Sequence, residues 1–186
     1  MLLRFFQRLS GRQVLLLAAL AIVWFQGALV LSGLYPSHVR AQGGPAIEET
    51  PFMDAAEASA RLTSINDNGH QWSTMALLGA DALNVVFLFL ALGAAGVWAA
   101  RAANFPPFVQ QAASVLPLLF ALGDMAENVL ILSAILPPYD VLPKAAGVIG
   151  YATGLKHVFF GASALLLVAG LFVAVARLLL SRRAGG

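Results

Sequence analysis

Cysteine is absent from the 186 residues, which excludes disulfides, thiolate metal ligands and cysteine nucleophiles. An exported segment is still allowed, because such a segment need not be cross-linked. Charge is scarce too. Asp, Glu, Lys and Arg make up 11% of the chain, against about 25% in an ordinary water-soluble domain. Also missing are a P-loop, a G-x-S-x-G elbow, an H-E-x-x-H zinc helix and a dinucleotide fingerprint. No cofactor is named by the residues, and nothing in them calls for a nucleic-acid partner.

Apolar residues take the place of the missing charge. They form 60% of the chain, and the mean hydropathy is +0.82. A membrane-crossing helix needs roughly 20 mainly apolar residues at 1.5 Å rise each. Four stretches meet that need, at about 13–34, 75–100, 112–136 and 150–180, the last starting between Leu142 and Tyr151. In lipid every backbone polar group must be bonded internally, so these runs are expected as helices. The expected fold is an all-α integral membrane protein, a four-helix transmembrane bundle forming one domain over 1–186.

The formal net charge is +2 and the pI about 9.4, but placement matters more than the total. Arg4, Arg8, Arg12, Arg101, Arg177, Arg182 and Arg183 flank the runs on one side, with no acid among them. Between the first two runs lie Glu48, Glu49, Asp54, Glu57 and Asp67 against Arg40 and Arg61, and the last link holds Asp140 and Lys144. Basic residues stay in the cytoplasm. Both termini are therefore expected there, in a multi-pass protein of a cell inner membrane. Val39-Arg40-Ala41 resembles a signal-peptide cleavage site, yet the preceding apolar run exceeds the 7–15 residues of a signal core. The basic and apolar Leu2–Arg12 stretch suits a cytoplasmic-leaflet anchor on anionic lipid.

The outer segment, 35–74, is the one sizeable part expected outside the bilayer. Pro36, Gly43, Gly44 and Pro45 mark its first half as extended loop. Thr50-Pro51 reads as a helix N-cap followed by proline at the first helical position. Phe52, Ala55, Ala56, Leu62 and Ile65 recur near helical spacing, and Asn66 to Gly69 supplies a stop. A short amphipathic helix lying on the outer membrane face is expected, as a surface linker or as a lid. His70 and Trp72 follow at interfacial depth.

Three of the nine acids fall inside the apolar runs: Asp81, Asp124 and Glu127. Ionised groups there normally face a bundle interior, a cavity or a partner. Asp124, Glu127 and Asn128 share one helical face, Asp81 and Asn84 share another, and Thr153 shares a third with Lys156 and His157. Counting back from the cytoplasmic ends puts Asp81 and Lys156 near the outer boundary, with Glu127 roughly 7 Å and Asp124 about 12 Å below it. One polar pocket in the outer half is expected.

Two readings of that pocket compete. In the first, Asp124, Glu127 and Lys156 are candidate catalytic residues, with Asp81, Asn84, Asn128, Thr153 and His157 binding a lipid-like or isoprenoid ligand. Whether the chain is an enzyme or a binding protein stays open. In the second, Lys156 and the acids are salt bridges in a structural or assembly subunit. One Lys cannot neutralise three carboxylates, so an excess acid should hold a proton, which is what acid–base chemistry uses. A metal site from Asp81, Asp124, Glu127 and His157 lacks the Glu-x-x-His pair of carboxylate bundles, and no metal is expected. Proton or ion transport is disfavoured, because the inner half offers no polar relay.

Gly93, Gly96, Gly147, Gly150 and Gly154 suit close helix packing. Pro106-Pro107 should end a helix, and Pro117 should kink the third span. With Asp81, Gly123-Asp124-Met125-Ala126-Glu127-Asn128 and Thr153-Gly154-Leu155-Lys156 set out, the chain resembles a group of small four-span bacterial membrane proteins. These have an acid early in the second span, D-x-x-E-N in the third and T-x-x-K in the fourth, over about residues 50–180 here. The resemblance brings no activity. It implies that Asp81, Asp124, Glu127, Asn128 and Lys156 belong to one site.

Overall fold

Ser10 opens the first long helix with a reciprocal cap: its hydroxyl accepts from the Gln13 N–H, and the Gln13 side chain accepts from the Ser10 N–H. The computed structural model describes residues 1–137 and 142–184, without the side chains of Leu142 and 182–184. It is 86% helical, with no strand among the described residues. A short α1 (Leu2–Gln7) precedes α2 (Gly11–Trp24), which continues as a π-helical segment, Phe25–Leu31. Next come α3 (Leu34–Ala41), a 3₁₀ turn (Ile47–Glu49), α4 (Ala55–Asp67), α5 (Gln71–Ala102), α6 (Pro107–Ile135) and α7 (Leu142–Ala184).

Four helices are long and apolar enough to cross a membrane: Gly11–Leu31, Gln71–Ala102, Pro107–Ile135 and Pro143–Ser181. They match the four expected runs, and the last three are longer than expected. The 43 residues of α7 span about 64 Å, twice the ~30 Å of a hydrocarbon core. Polar ends thus remain helical instead of stopping at the apolar limit. Pro106-Pro107 does not end a helix. The chain turns at Ala103–Phe105, and Pro107 begins α6 at the position where a missing N–H costs nothing. Pro117 sits buried within α6. Asp140 lies outside the described residues.

Helices α5, α6 and α7 pack against one another, and α2 lies along the outside of α5. At the end that carries both termini, Phe6 of α1 is buried on Gly93, where any added Cβ would strike the ring. Arg101 donates to the Gln7 carbonyl at 2.7 Å, tying α1 to the same end. Gly96 brings α5 against Ala113 of α6, as its smallness suggested, whereas Gly147 meets no neighbour within 4 Å.

The opposite end is closed by a cap built from 34–67, and it corrects three expectations. Residues 34–41 form a helix, not extended loop, because Pro36 falls in its first turn, where proline is tolerated. The next helix is capped by Asp54, whose carboxylate accepts from the Glu57 N–H at 2.8 Å, and not by Thr50. Its buried stripe is Ala58, Arg61, Leu62 and Ile65, whereas Phe52, Ala55 and Ala56 are exposed. That stripe packs on α6 and α7 with Ile131, Ile135 and Ile149, so α4 rests on the end of the bundle.

Gly150 and Gly154 do not form a helix–helix seam either. The Phe52–Met53 loop lies in the groove they leave, with the Phe52 N–H donating to the Gly150 carbonyl at 3.0 Å. A Cβ on Gly150 would come within 2.0 Å of the Met53 carbonyl oxygen. Phe52 itself takes a left-handed φ of 59° to make that turn.

Candidate functional site

Asp81, Asp124 and Lys156 stand at one level, roughly 15–20 Å along their helices from the cap end at 1.5 Å per residue. The sequence count had set Lys156 well above Asp124. The helices overrun the apolar limits used for that count, and Gly123 lets the α7 backbone come close: a Cβ there would sit 3.2 Å from that of Lys156.

The expected polar residues do converge. Lys156 Nζ donates to Asp124 Oδ1 at 2.8 Å and also meets Glu127 Oε2. Thr153 Oγ1 lies within reach of Glu127 Oε1 and of the Ile149 carbonyl, and its single proton can serve one of them at a time. Asn128 donates to Asp81 Oδ2 at 3.1 Å and Asn84 approaches Asp81 Oδ1 at 3.4 Å. Glu127 and Thr153 are fully buried, and Asp124 and Lys156 are each 6% exposed.

Several buried oxygens are left over, Asn84 Oδ1 and Asn128 Oδ1 among them. Asp124 Oδ2 is buried and has no hydrogen-bond partner. It belongs to a carboxylate that lines two neighbouring cavities. The smaller, about 80 Å³, reaches Asp81, Leu77 and Leu78. The larger is a cleft of about 430 Å³, lined on its polar side by Tyr35, Glu48, Glu49, Asp124, Lys156 and His157. Its apolar wall is Phe25, Leu88, Phe120 and Phe160. Phe25, from the π-helical segment after α2, and Phe160, from α7, are 38% and 39% exposed.

Not every expected ligand-binding residue faces this space. Asn84, Asn128 and Thr153 do not line the cleft, and neither does Glu127; they hold Asp81 and Lys156 in place from behind. Asp81 lines the smaller cavity alone. His157 is at the cleft, its Nδ1 bonded to the Thr153 carbonyl at 2.8 Å. Among the described residues no group of three or more His, Asp or Glu is arranged to hold a metal ion.

Sequence reasoning missed the cap's share of the site. His38, fully buried, has Nε2 at 2.6 Å from Glu48 Oε1 and Nδ1 at 3.3 Å from Thr74 Oγ1 of α5. Gln42 receives the Ile47 N–H at 2.8 Å and fixes the 3₁₀ turn that presents Glu48 and Glu49. Burial alone would push the Glu48 carboxyl up, but the hydrogen bond and charge of His38 outweigh it and hold the group below its ordinary value. The Tyr35 phenol is pushed above its usual range by burial and by its hydrogen bond to Glu49. The one available signal was the i, i+4 spacing of His38 and Gln42, which Pro36 obscured.

No protein family, curated protein or solved structure matches this chain.

Proposed function

We propose that the chain is a multi-pass protein of a cell inner membrane that binds a lipid-like molecule in the cleft, with its head group at Asp124 and Lys156. The observation that carries this reading is the buried Asp124–Lys156 pair lining a cleft whose other wall is four apolar side chains, with one Asp124 oxygen left without a hydrogen bond. A site of that volume, mostly apolar with a few convergent polar groups, is the ordinary form of a small-molecule site. Phe25 and Phe160 line the cleft and are partly exposed on membrane-length helices, which suits a ligand that enters from the bilayer. Arg4, Arg8, Arg12, Arg101 and Arg177 gather at one end and the acids of the cap at the other. That distribution supports cytoplasmic termini, with the cap outside.

A second reading has its own observation. Lys156 joins both Asp124 and Glu127, as a bundle-clamping salt bridge in a structural or assembly subunit would. The cleft favours the first reading, since a clamp needs no adjoining space.

Mass spectrometry of amphiphiles retained by the purified protein separates the two. Wild type should carry a bound species that Leu88→Trp, which fills the apolar wall, loses without a change in fold. If neither protein carries one, or both carry the same amount, the cleft is not a ligand site.

A further inference from the structure

We propose that the head group taken by the cleft is cationic, an alkylamine or quaternary ammonium amphiphile. This rests on reading the cleft as a ligand site and goes further by naming the ligand's chemical class.

Three carboxylates face the cleft: Glu48 and Glu49 from the cap and Asp124 from α6, with Asp81 behind them in the adjoining cavity. Lys156 is the one Lys or Arg among the lining residues, and two carboxylates already occupy its ammonium. An anionic head would therefore approach several acids with no free cation to receive it. A neutral head would leave the acids facing one another, either ionised at a cost where water is scarce or holding a proton that they could give up beside a cation. A cation offsets their charge.

Hydrogen-bond capacity points the same way. The buried side-chain atoms without a hydrogen-bond partner here are all acceptor oxygens: Asp124 Oδ2 on the cleft-lining acid, with Asn84 Oδ1, Asn128 Oδ1 and Glu127 Oε2 behind it, the last against the Lys156 ammonium, and no unpartnered buried donor among the described residues. What such a site lacks is donors. The walls add a third feature, since Phe25, Tyr35, Phe120 and Phe160 all border the cleft. Aromatic faces attract ammonium groups, most strongly when the cation is desolvated. Carboxylates and aromatic rings on one apolar cleft are the chemistry that recognises an amine carrying a hydrocarbon chain.

The test is calorimetric titration of the full chain in lipid nanodiscs, corrected by empty nanodiscs, with dodecylamine, dodecanol and dodecanoate at neutral pH. Dodecylamine should bind at least about tenfold more tightly than dodecanol, a difference of about 1.4 kcal/mol, and dodecanoate most weakly. Asp124→Asn and Glu49→Gln should each weaken the amine while leaving dodecanol unchanged. Glu49 is exposed, so its variant is expected to fold. Equal binding of amine and alcohol would overturn the cationic assignment and leave the cleft as a neutral-lipid site. Preference for dodecanoate would overturn it in favour of Lys156 as an anion receptor. Binding of none of the three would remove the ligand-site reading itself.

Discussion

Asp124 gives one carboxylate oxygen to Lys156 at 2.8 Å and keeps the other, buried, without a partner. A residue placed only to clamp two helices would have both oxygens engaged. Here one oxygen is tied to Lys156, the other is buried without a hydrogen bond, and the residue lines the cleft, which fits a side chain that is positioned by its neighbours and borders a binding space.

Lys156 is the group on which the surrounding acids depend. Lys156→Met leaves Asp124 and Glu127 buried without a cation, and should lower the unfolding free energy by about 3–5 kcal/mol. Thermal melting in detergent reads this, and adding Asp124→Asn and Glu127→Gln to Lys156→Met should restore most of the loss. A Lys156→Met variant that melts with wild type would mean the three groups are not coupled.

The cap is held on α7 through a missing side chain. Gly150→Ala places a Cβ against the Met53 carbonyl and should force the 50–53 loop off the helix, at a cost of about 1–3 kcal/mol. Limited proteolysis should then cut between the 3₁₀ turn and α4, where wild type resists. Equal resistance would show that the loop is not seated there.

How much of this was open to a reader of the sequence differs between bundle and cap. The four runs and the convergence of Asp81, Asp124, Glu127 and Lys156 follow from hydropathy and helical spacing, because long helices in lipid have few alternatives. Depth did not follow, because the apolar limits stop short of the helix ends. The cap was misread at Pro36 and Thr50-Pro51, where proline allows both a loop and a first helical turn. His38 and Glu48 meet through tertiary packing, and no local pattern marks that pair.

That pair should impose a pH dependence of known sign. The Glu48 carboxyl is lowered from an ordinary value of 4.5. Its stabilising contribution is therefore complete above that pH and is lost as pH falls through the lowered value. The wild-type melting temperature should fall below about pH 4.5 more steeply than that of Glu48→Gln. Parallel curves would show that His38 and Glu48 do not pair.

The absence of cysteine makes topology directly testable. Single-cysteine variants Asp67→Cys, on the cap, and Ser181→Cys, at the far end of α7, should react oppositely with a membrane-impermeant maleimide in spheroplasts. Asp67→Cys should label at once, and Ser181→Cys only after permeabilisation. The reverse pattern would invert the orientation.

The measurement that bears most directly on the site is the melting temperature of Asp124→Asn against wild type, in the same detergent. Asn at this position removes one negative charge from a cluster with a single Lys, and Glu127 remains to hold that Lys. A residue kept for binding at a cost to stability leaves melting unchanged or raised when replaced, and that is the expected result. A drop as large as that of Lys156→Met would contradict it and make Asp124 a structural half of a buried salt bridge.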